Sequence, residues 1–418
     1  MMKNKILKSQ KLDGVGYDIR GPVLTRAQEL EAEGEKIIKL NIGNLGAFGF
    51  VPPIEIVQDI QRTLAEHVGY TDSKGLFTAR KAVVQYTQSQ GVLGVAVDDV
   101  YLGNGASELI ALSLNVLLND GDEVLIPAPD YPLWTAVTTL SGGTPIHYIC
   151  DETNDWQPSL EDIQSKITKN TKAIVVINPN NPTGAVYSKE LLEGIVRVAR
   201  KHSLIVFADE VYDKILFDDA VHVPLATIAT DVLTIVFGSI SKNYRSCGFR
   251  GGWMYLAGDK SHATDYIEGL NMLSSMRLCS NTAGQLAIQT ALGGYQSIHE
   301  LTRGDGRIKK QRDVAFELLS AIPGVKVVLP KGALYMFVAL DPKMYHIDDD
   351  QKFVLELLEE QKVLVVQGTG FNWVDNHHFR FVFLPHEADL RIAIGRIATF
   401  LENKRIAQNQ KQGLPLQG

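Results

Sequence analysis

The chain has 418 residues, 45% of them hydrophobic and 21% charged, with a formal net charge of −7. That length can bury a large core and is expected to divide into about two domains. The negative balance and the lack of a long basic run argue against a nucleic-acid partner.

The predicted elements begin after a polar stretch, residues 1–16. Leu24 to Glu33 has a helical pattern stopped by Gly34, and Ile37 to Ile42 reads as a short strand. Pro52-Pro53 opens a helix over Ile54 to Glu66, and Thr78 to Gln90 forms another. From residue 100 a β/α alternation sets in. Strands are expected at Val100–Leu102, Glu123–Ile126, Pro145–Cys150, Ala173–Ile177, Leu204–Ala208 and Leu233–Phe237, with helices at Leu109–Leu118 and from Ser188 to Lys201. Near-continuous Val/Ile/Leu runs of this kind imply a mostly parallel sheet covered on both faces, an α/β fold. One long helical region covers about Ser261 to Leu292, and Arg307 to Ala321 is a further helix. Short strands and helices then alternate through Lys326–Leu329, Leu334–Ala339, Asp350–Gln361, Val363–Val366, Phe379–Leu384 and Glu387–Leu401, a smaller α+β unit. The tail from Gln408 is polar and expected to be disordered.

Cys150, Cys247 and Cys279 are far apart and odd in number, which fits a reducing compartment. No Cys/His cluster has metal-ligand spacing, and the His377-His378 pair reads as a solvated loop. The N-terminus lacks a secretory apolar core and no apolar run is long enough to span a membrane, so the expected location is the cytoplasm.

Four strand ends carry polar groups, where ligands of open α/β sheets gather. Ser107 lies on the Gly-rich turn after Val100–Leu102, Asn181 after Ala173–Ile177, Asp209 ends Leu204–Ala208, and Lys242 follows Leu233–Phe237. Each has a plain structural explanation alone: a helix cap, a turn, a turn start, a surface cation. Together a lysine, a carboxylate, an amide and a phosphate cradle with Arg250 suit pyridoxal 5'-phosphate. The amine bonds its aldehyde, the carboxylate keeps its ring nitrogen protonated, and arginine with hydroxyls and helix N-terminal amides holds the phosphate.

Asn178-Pro179-Asn180-Asn181-Pro182-Thr183-Gly184, Asp209-Glu210-Val211-Tyr212 and Ser239-x-Ser241-Lys242…Arg250 resemble the class I/II aminotransferases, which have the fold-type I architecture of pyridoxal phosphate enzymes. Tyr17-Asp18-Ile19-Arg20-Gly21-Pro22, Gly103-Asn104-Gly105, Pro129-Asp130-Tyr131-Pro132-Leu133-Trp134, Gly293-Gly294-Tyr295-Gln296 and Gly332 to Phe337 look like the bacterial glutamate–pyruvate (alanine) aminotransferases. The resemblance implies that Lys242 is the Schiff-base lysine and the proton carrier. It implies that Asp209 pairs with the ring nitrogen, that Asn181 and Tyr212 bind the ring hydroxyl, and that Tyr131 stacks on the ring. Ala106, Ser107, Ser239 and Arg250 would hold the phosphate, and Tyr70 would reach the phosphate of the partner subunit in a homodimer. Arg380 would clamp the substrate carboxylate, as a guanidinium fork can; its alternative is a surface arginine on a strand edge. Gly43 would lie against the substrate. Tyr17 and Arg20 are candidates for a closing lid, Arg20 being otherwise a surface cation.

The implied reaction is ping-pong transamination between alanine/pyruvate and glutamate/2-oxoglutarate. Aromatic or branched-chain specificity and β-lyase chemistry use the same cofactor residues. A sensing domain of a transcription regulator would need a DNA-binding unit ahead of Tyr17. The implied layout is an N-terminal segment and lid (1–50), a large cofactor domain (51–294), a small domain (295–407) and a flexible tail (408–418). Where the family often has Gly-Asn-Pro, this chain has Gly43-Asn44-Leu45-Gly46, which is expected to loosen a loop at the substrate mouth.

Overall fold

The computed structural model describes residues 6–17 and 21–412. Fourteen strands of the described residues, numbered in chain order, form three sheets: β1 (Ile38–Lys39), β2 (Val100–Asn104), β3 (Glu123–Ala128), β4 (Thr144–Asp151), β5 (Gln157–Pro158), β6 (Thr171–Ile177), β7 (Ile205–Asp209), β8 (Thr234–Ser239), β9 (Gly251–Ala257), β10 (Val325–Val327), β11 (Tyr335–Leu340), β12 (Val363–Leu364), β13 (Val366–Gln367) and β14 (His378–Val382). The large sheet has the order β2-β9-β8-β7-β6-β3-β4-β5. Its centre, from β8 through β4, is parallel, and β9 and β5 run antiparallel to their neighbours.

The sheet is covered on both faces because neighbouring residues of a strand point to opposite sides. Ile174 and Val176 of β6, with Val206 and Ala208 of β7, join one hydrophobic cluster; Val175 and Ile177, with Phe207, join another. This is why the central strands read as unbroken apolar runs. A third cluster unites the N-terminal segment (Val23, Ala27, Leu30, Leu40) with the C-terminal unit (Phe353, Leu357, Val382, Leu401). There β1 pairs in parallel with β12, and β10-β11-β14-β13 form a four-stranded sheet.

Several elements differ from the sequence reading. The helical region from Ser261 is two helices, Thr264–Met276 and Thr282–Gly293. Between them Leu278 takes φ 67°, and Asn281 caps the second helix by accepting from Gly284 N at 2.6 Å. An unanticipated helix, Leu133–Leu140, forms although four of its eight residues are β-branched; burial of Trp134, Val137 and Thr138 outweighs their weak propensity. The last helix does not end at Leu401 but runs to Gln412, through Glu, Lys, Arg and Gln residues that favour helix. The expected disordered tail is therefore helical over 408–412, and its remainder lies outside the described residues. Leu45 sits fully buried in the third cluster, on a 3-10 turn over Leu45–Phe48, so the loop lacking the family proline is anchored and not loosened. His378 is no solvated loop residue: it is buried on β14, with Nδ1 2.8 Å from Asp375 Oδ1 and Nε2 3.5 Å from Glu152.

Candidate active site

The strand order explains how the site assembles. The C-terminal ends of β6, β7 and β8 lie side by side, with Ile177 in register with Asp209 and Asp209 with Phe237. The start of β9 is wedged between the ends of β8 and β2, where Gly252 pairs with both Ser239 and Gly103. Arg250, immediately before β9, is thus delivered to the same edge as Ser239 and Asn104. Close packing needs the glycines: a Cβ on Gly252 would lie 2.5 Å from Ala106 N, and one on Gly105 (φ +81°) would strike the Arg250 guanidinium.

These ends open into a cavity of about 780 Å³. Of the sequence-predicted residues, Lys242, Asp209, Asn181, Tyr212, Tyr131, Ala106, Ser107, Ser239, Arg250, Gly43, Arg380 and Tyr17 line it. Tyr70 does not line it; its side chain is 81% exposed. Arg20 lies outside the described residues.

Lys242 Nζ donates to the Gly43 carbonyl at 2.8 Å. Asp209 is buried, and its Oδ2 accepts from Trp134 Nε1 at 3.1 Å. Burial pushes its carboxyl up to about 6, against the pull of the Trp134 bond. No cation of the described residues lies within 4.0 Å of it. Tyr212 and Tyr335 share a hydrogen bond of 2.7 Å between hydroxyls, and Tyr131 and Tyr17 one of 3.1 Å. Ser107 does not cap its helix: Gly105 is the cap residue and provides no side-chain bond, so the first amides of Ala106–Leu117 have no side-chain cap, and Ala106 and Ser107 line the cavity. Ser239 accepts from Ser241 N at 3.0 Å, and both serines line the cavity. Arg250 donates to the Cys247 and Asn104 carbonyls at 2.9 and 3.1 Å.

Arg380 is not on a sheet edge. It sits on β14, between β11 and β13, and is 2% exposed. It donates to Asn181 Oδ1 at 2.9 Å and to the Asn41 carbonyl, and lies 4.4 and 4.5 Å from the Tyr335 and Phe371 ring centres. Burial lowers its pKa, yet no carboxylate of the described residues comes within 4.0 Å of it. Its Nε has no hydrogen-bond partner among them. A buried cation without an anion, at the wall of a cavity, fits an anionic ligand.

Residues 35–397 match the family described as aminotransferase class I and II. The chain belongs to that family. It is 58% identical over 396 residues to the glutamate-pyruvate aminotransferase AlaA of Escherichia coli K12, covering 95% of this chain and 98% of that one. It is 56% identical over 399 residues to the alanine aminotransferase of Mycobacterium tuberculosis H37Rv, covering 95% and 93%. Among solved structures, an aminotransferase from Escherichia coli superposes with a TM-score of 0.95 at 57% identity, covering 96% of this chain and all of that one. The Pyrococcus furiosus alanine aminotransferase gives 0.91 at 36% identity, covering 95% and 100%.

Aminotransferases of this family depend on pyridoxal phosphate, and the cavity fits that group. At one end the donors are neutral or cationic: helix amides, Ser107, Ser239 and Arg250. At the C-terminal end of the central strand β7 stands a buried carboxylate, Asp209, with no cation of the described residues within 4.0 Å, suited to a protonated ring nitrogen. An amine, Lys242, faces the same space.

No local sequence pattern singles out Trp134, Tyr335 or Asn41. Trp134 and Tyr335 stand in motifs quoted for the resemblance, but their bonds to Asp209 and Tyr212 join residues 75 and 123 positions apart. Gly43 meets Tyr335 first: an added Cβ would run into the Tyr335 hydroxyl.

Proposed function

We propose that this chain is an alanine aminotransferase that moves an amino group between L-alanine/pyruvate and L-glutamate/2-oxoglutarate by a ping-pong cycle. The observation that carries a carboxylate substrate is Arg380, buried beside Asn181 with no acidic partner among the described residues. The alanine/glutamate pair rests on the names and high identity of the relatives above.

Pyridoxal phosphate, when bound, supplies an aldehyde for the amino group and a ring that draws electrons from the substrate α-carbon. Lys242 is the base that takes and returns the α-proton; its hydrogen bond to the Gly43 carbonyl keeps the amine at the cavity wall. Asp209 holds a proton on the ring nitrogen, Asn181 and Tyr212 hold the ring oxygen, and Tyr131 covers the ring face. Ala106, Ser107, Ser239 and Arg250 bind the phosphate. Arg380 orients the substrate by its α-carboxylate, so that the α-proton faces Lys242. Gly43 leaves room for the substrate. Tyr17 and Arg20 close over it, with Arg20 favouring the second carboxylate of glutamate. Tyr70 completes the site of a partner subunit in a cytoplasmic homodimer. Residues 1–50 work with the small domain, 295–407, against the large domain, 51–294.

The test is a panel of single amino donors against pyruvate and 2-oxoglutarate, followed by the cofactor absorbance. Alanine and glutamate should react fastest. A preferred aromatic or branched-chain donor, or repeated turnover of a β-substituted amino acid to pyruvate and ammonia with no amino acceptor, overturns the substrate assignment. A Lys242→Ala protein that keeps the absorbance band of lysine-bound cofactor overturns the role of Lys242. Equal losses on glutamate and alanine in Arg20→Ala reject the selective role of Arg20.

A further inference from the structure

Asp130 belongs to a motif that the proposed chemistry does not use. It is fully buried, two residues past the end of β3 and next to Tyr131. Three hydrogen bonds hold it. Its Oδ1 accepts from Asn372 Nδ2 at 2.8 Å, its Oδ2 from the Thr135 hydroxyl at 2.6 Å, and its backbone N–H donates to the Phe371 carbonyl at 3.0 Å. Asn372 also donates to Thr135 Oγ1 at 3.2 Å.

These bonds join two distant parts of the chain. Asp130 and Thr135 flank Tyr131, which lines the cavity. Asn372 directly follows Phe371, whose ring stacks on the Arg380 guanidinium. Asn372 adopts φ 57°, a conformation that asparagine tolerates better than most residues. Its amide is thereby turned onto Asp130, 242 residues away. Burying a carboxylate is costly unless its oxygens are bonded. Burial pushes this one up to about 7, with Thr135 and Asn372 acting to lower it. A carboxylate placed there at such cost, with no lysine or arginine of the described residues within 4.0 Å and only the His147 imidazole, pushed down to about 4 by burial, at 3.9 Å, calls for a positional explanation.

We propose that Asp130 and Asn372 form a positioning tie that holds the Tyr131 wall of the cavity against the Phe371 ring that packs on Arg380. Neither residue lines the cavity. The tie acts by fixing the distance between the stacking tyrosine and the carboxylate-binding arginine. It rests on the reading of Arg380 given above.

The experiment uses the holoenzyme and four variants: Asp130→Ala, Asp130→Asn, Asn372→Gly (which keeps the backbone conformation) and Arg380→Lys. A double Asp130→Ala/Asn372→Gly variant completes a cycle. KM and kcat for L-alanine and 2-oxoglutarate, the cofactor absorbance spectrum and the melting temperature are measured for each. Asp130→Ala and Asn372→Gly should each raise KM for both substrates about tenfold, while kcat changes by less than about threefold. The absorbance spectrum should be unchanged, the double variant no worse than the worse single, and Asp130→Asn should recover most of the loss. Should Asp130→Ala fail to fold, Asn372→Gly and Asp130→Asn carry the test. Unchanged KM in Asn372→Gly while Arg380→Lys raises it overturns the tie alone. Losses that multiply in the double variant, or a fall in kcat with KM intact, also overturn it. If Arg380→Lys leaves KM unchanged, the carboxylate reading of Arg380 fails and the tie falls with it.

Discussion

Trp134 Nε1 donates to Asp209 Oδ2 at 3.1 Å, a bond from an unanticipated helix to the carboxylate at the centre of the site. Asp209 has few other supports: Val211 N, at 3.4 Å, is the second donor. The folded chain holds this carboxyl at about 6, above its ordinary 3.8, because burial disfavours the charge. The sign follows from linkage. A raised folded value means that the folded state binds the proton more tightly than the unfolded one. The stabilisation is present below the unfolded value and is lost as pH rises through about 6. At neutral pH the cofactor-free fold therefore carries a penalty on the order of 3 kcal/mol at this residue.

Asp209→Asn should raise the melting temperature of the cofactor-free protein at pH 8 while abolishing transamination. The gain should shrink toward pH 4. Calorimetry of both proteins across that range checks it, and a variant less stable than the parent at pH 8 would contradict it.

Trp134→Phe keeps an aromatic ring at this buried position and removes the donor. Without that hydrogen bond the charged form of Asp209 is less favoured, so its titration should move upward. Cofactor affinity should weaken as pH falls through about 6 in the parent, and this fall should begin at higher pH in the variant. Equilibrium titration of the cofactor-free proteins between pH 5 and 8 measures both curves.

Gly43 and Tyr335 supply a third test. Gly43→Ala should push Tyr335 away from Tyr212 and cut kcat/KM about tenfold. Tyr335→Phe removes the colliding hydroxyl, so Gly43→Ala/Tyr335→Phe should lose less than the two single losses multiplied. Strict multiplicativity would show that the two sites act independently.

His378 yields a pH dependence of stability away from the site. Burial acts to lower its pKa, but the bonds to Asp375 and Glu152 override this and raise it. The stability from these pairs is fully present below the ordinary histidine value of about 6.5 and is lost as pH rises through the higher folded value. His378→Asn should flatten the decline of melting temperature on the alkaline side of neutrality. An unchanged slope would reject the ion-pair account.

The apolar runs of the parallel sheet, the polar residues at its strand ends and the motifs around Asn181, Asp209 and Lys242 can be read along the chain. These are legible because they are local: a buried strand needs consecutive apolar residues, and a turn past its end is written within a few positions. What those residues touch depends on how distant elements pack in the folded chain. Trp134 reaches Asp209, Tyr335 meets Gly43 and Tyr212, Asn372 reaches Asp130, and His378 is buried between two carboxylates. Arg380, which a strand pattern leaves free to face solvent, is enclosed by Asn41, Asn181, Tyr335 and Phe371 because β14 lies inside its sheet. Such pairings depend on strand order and on the packing of elements far apart in the chain, and no periodicity in one segment records what another segment brings to it.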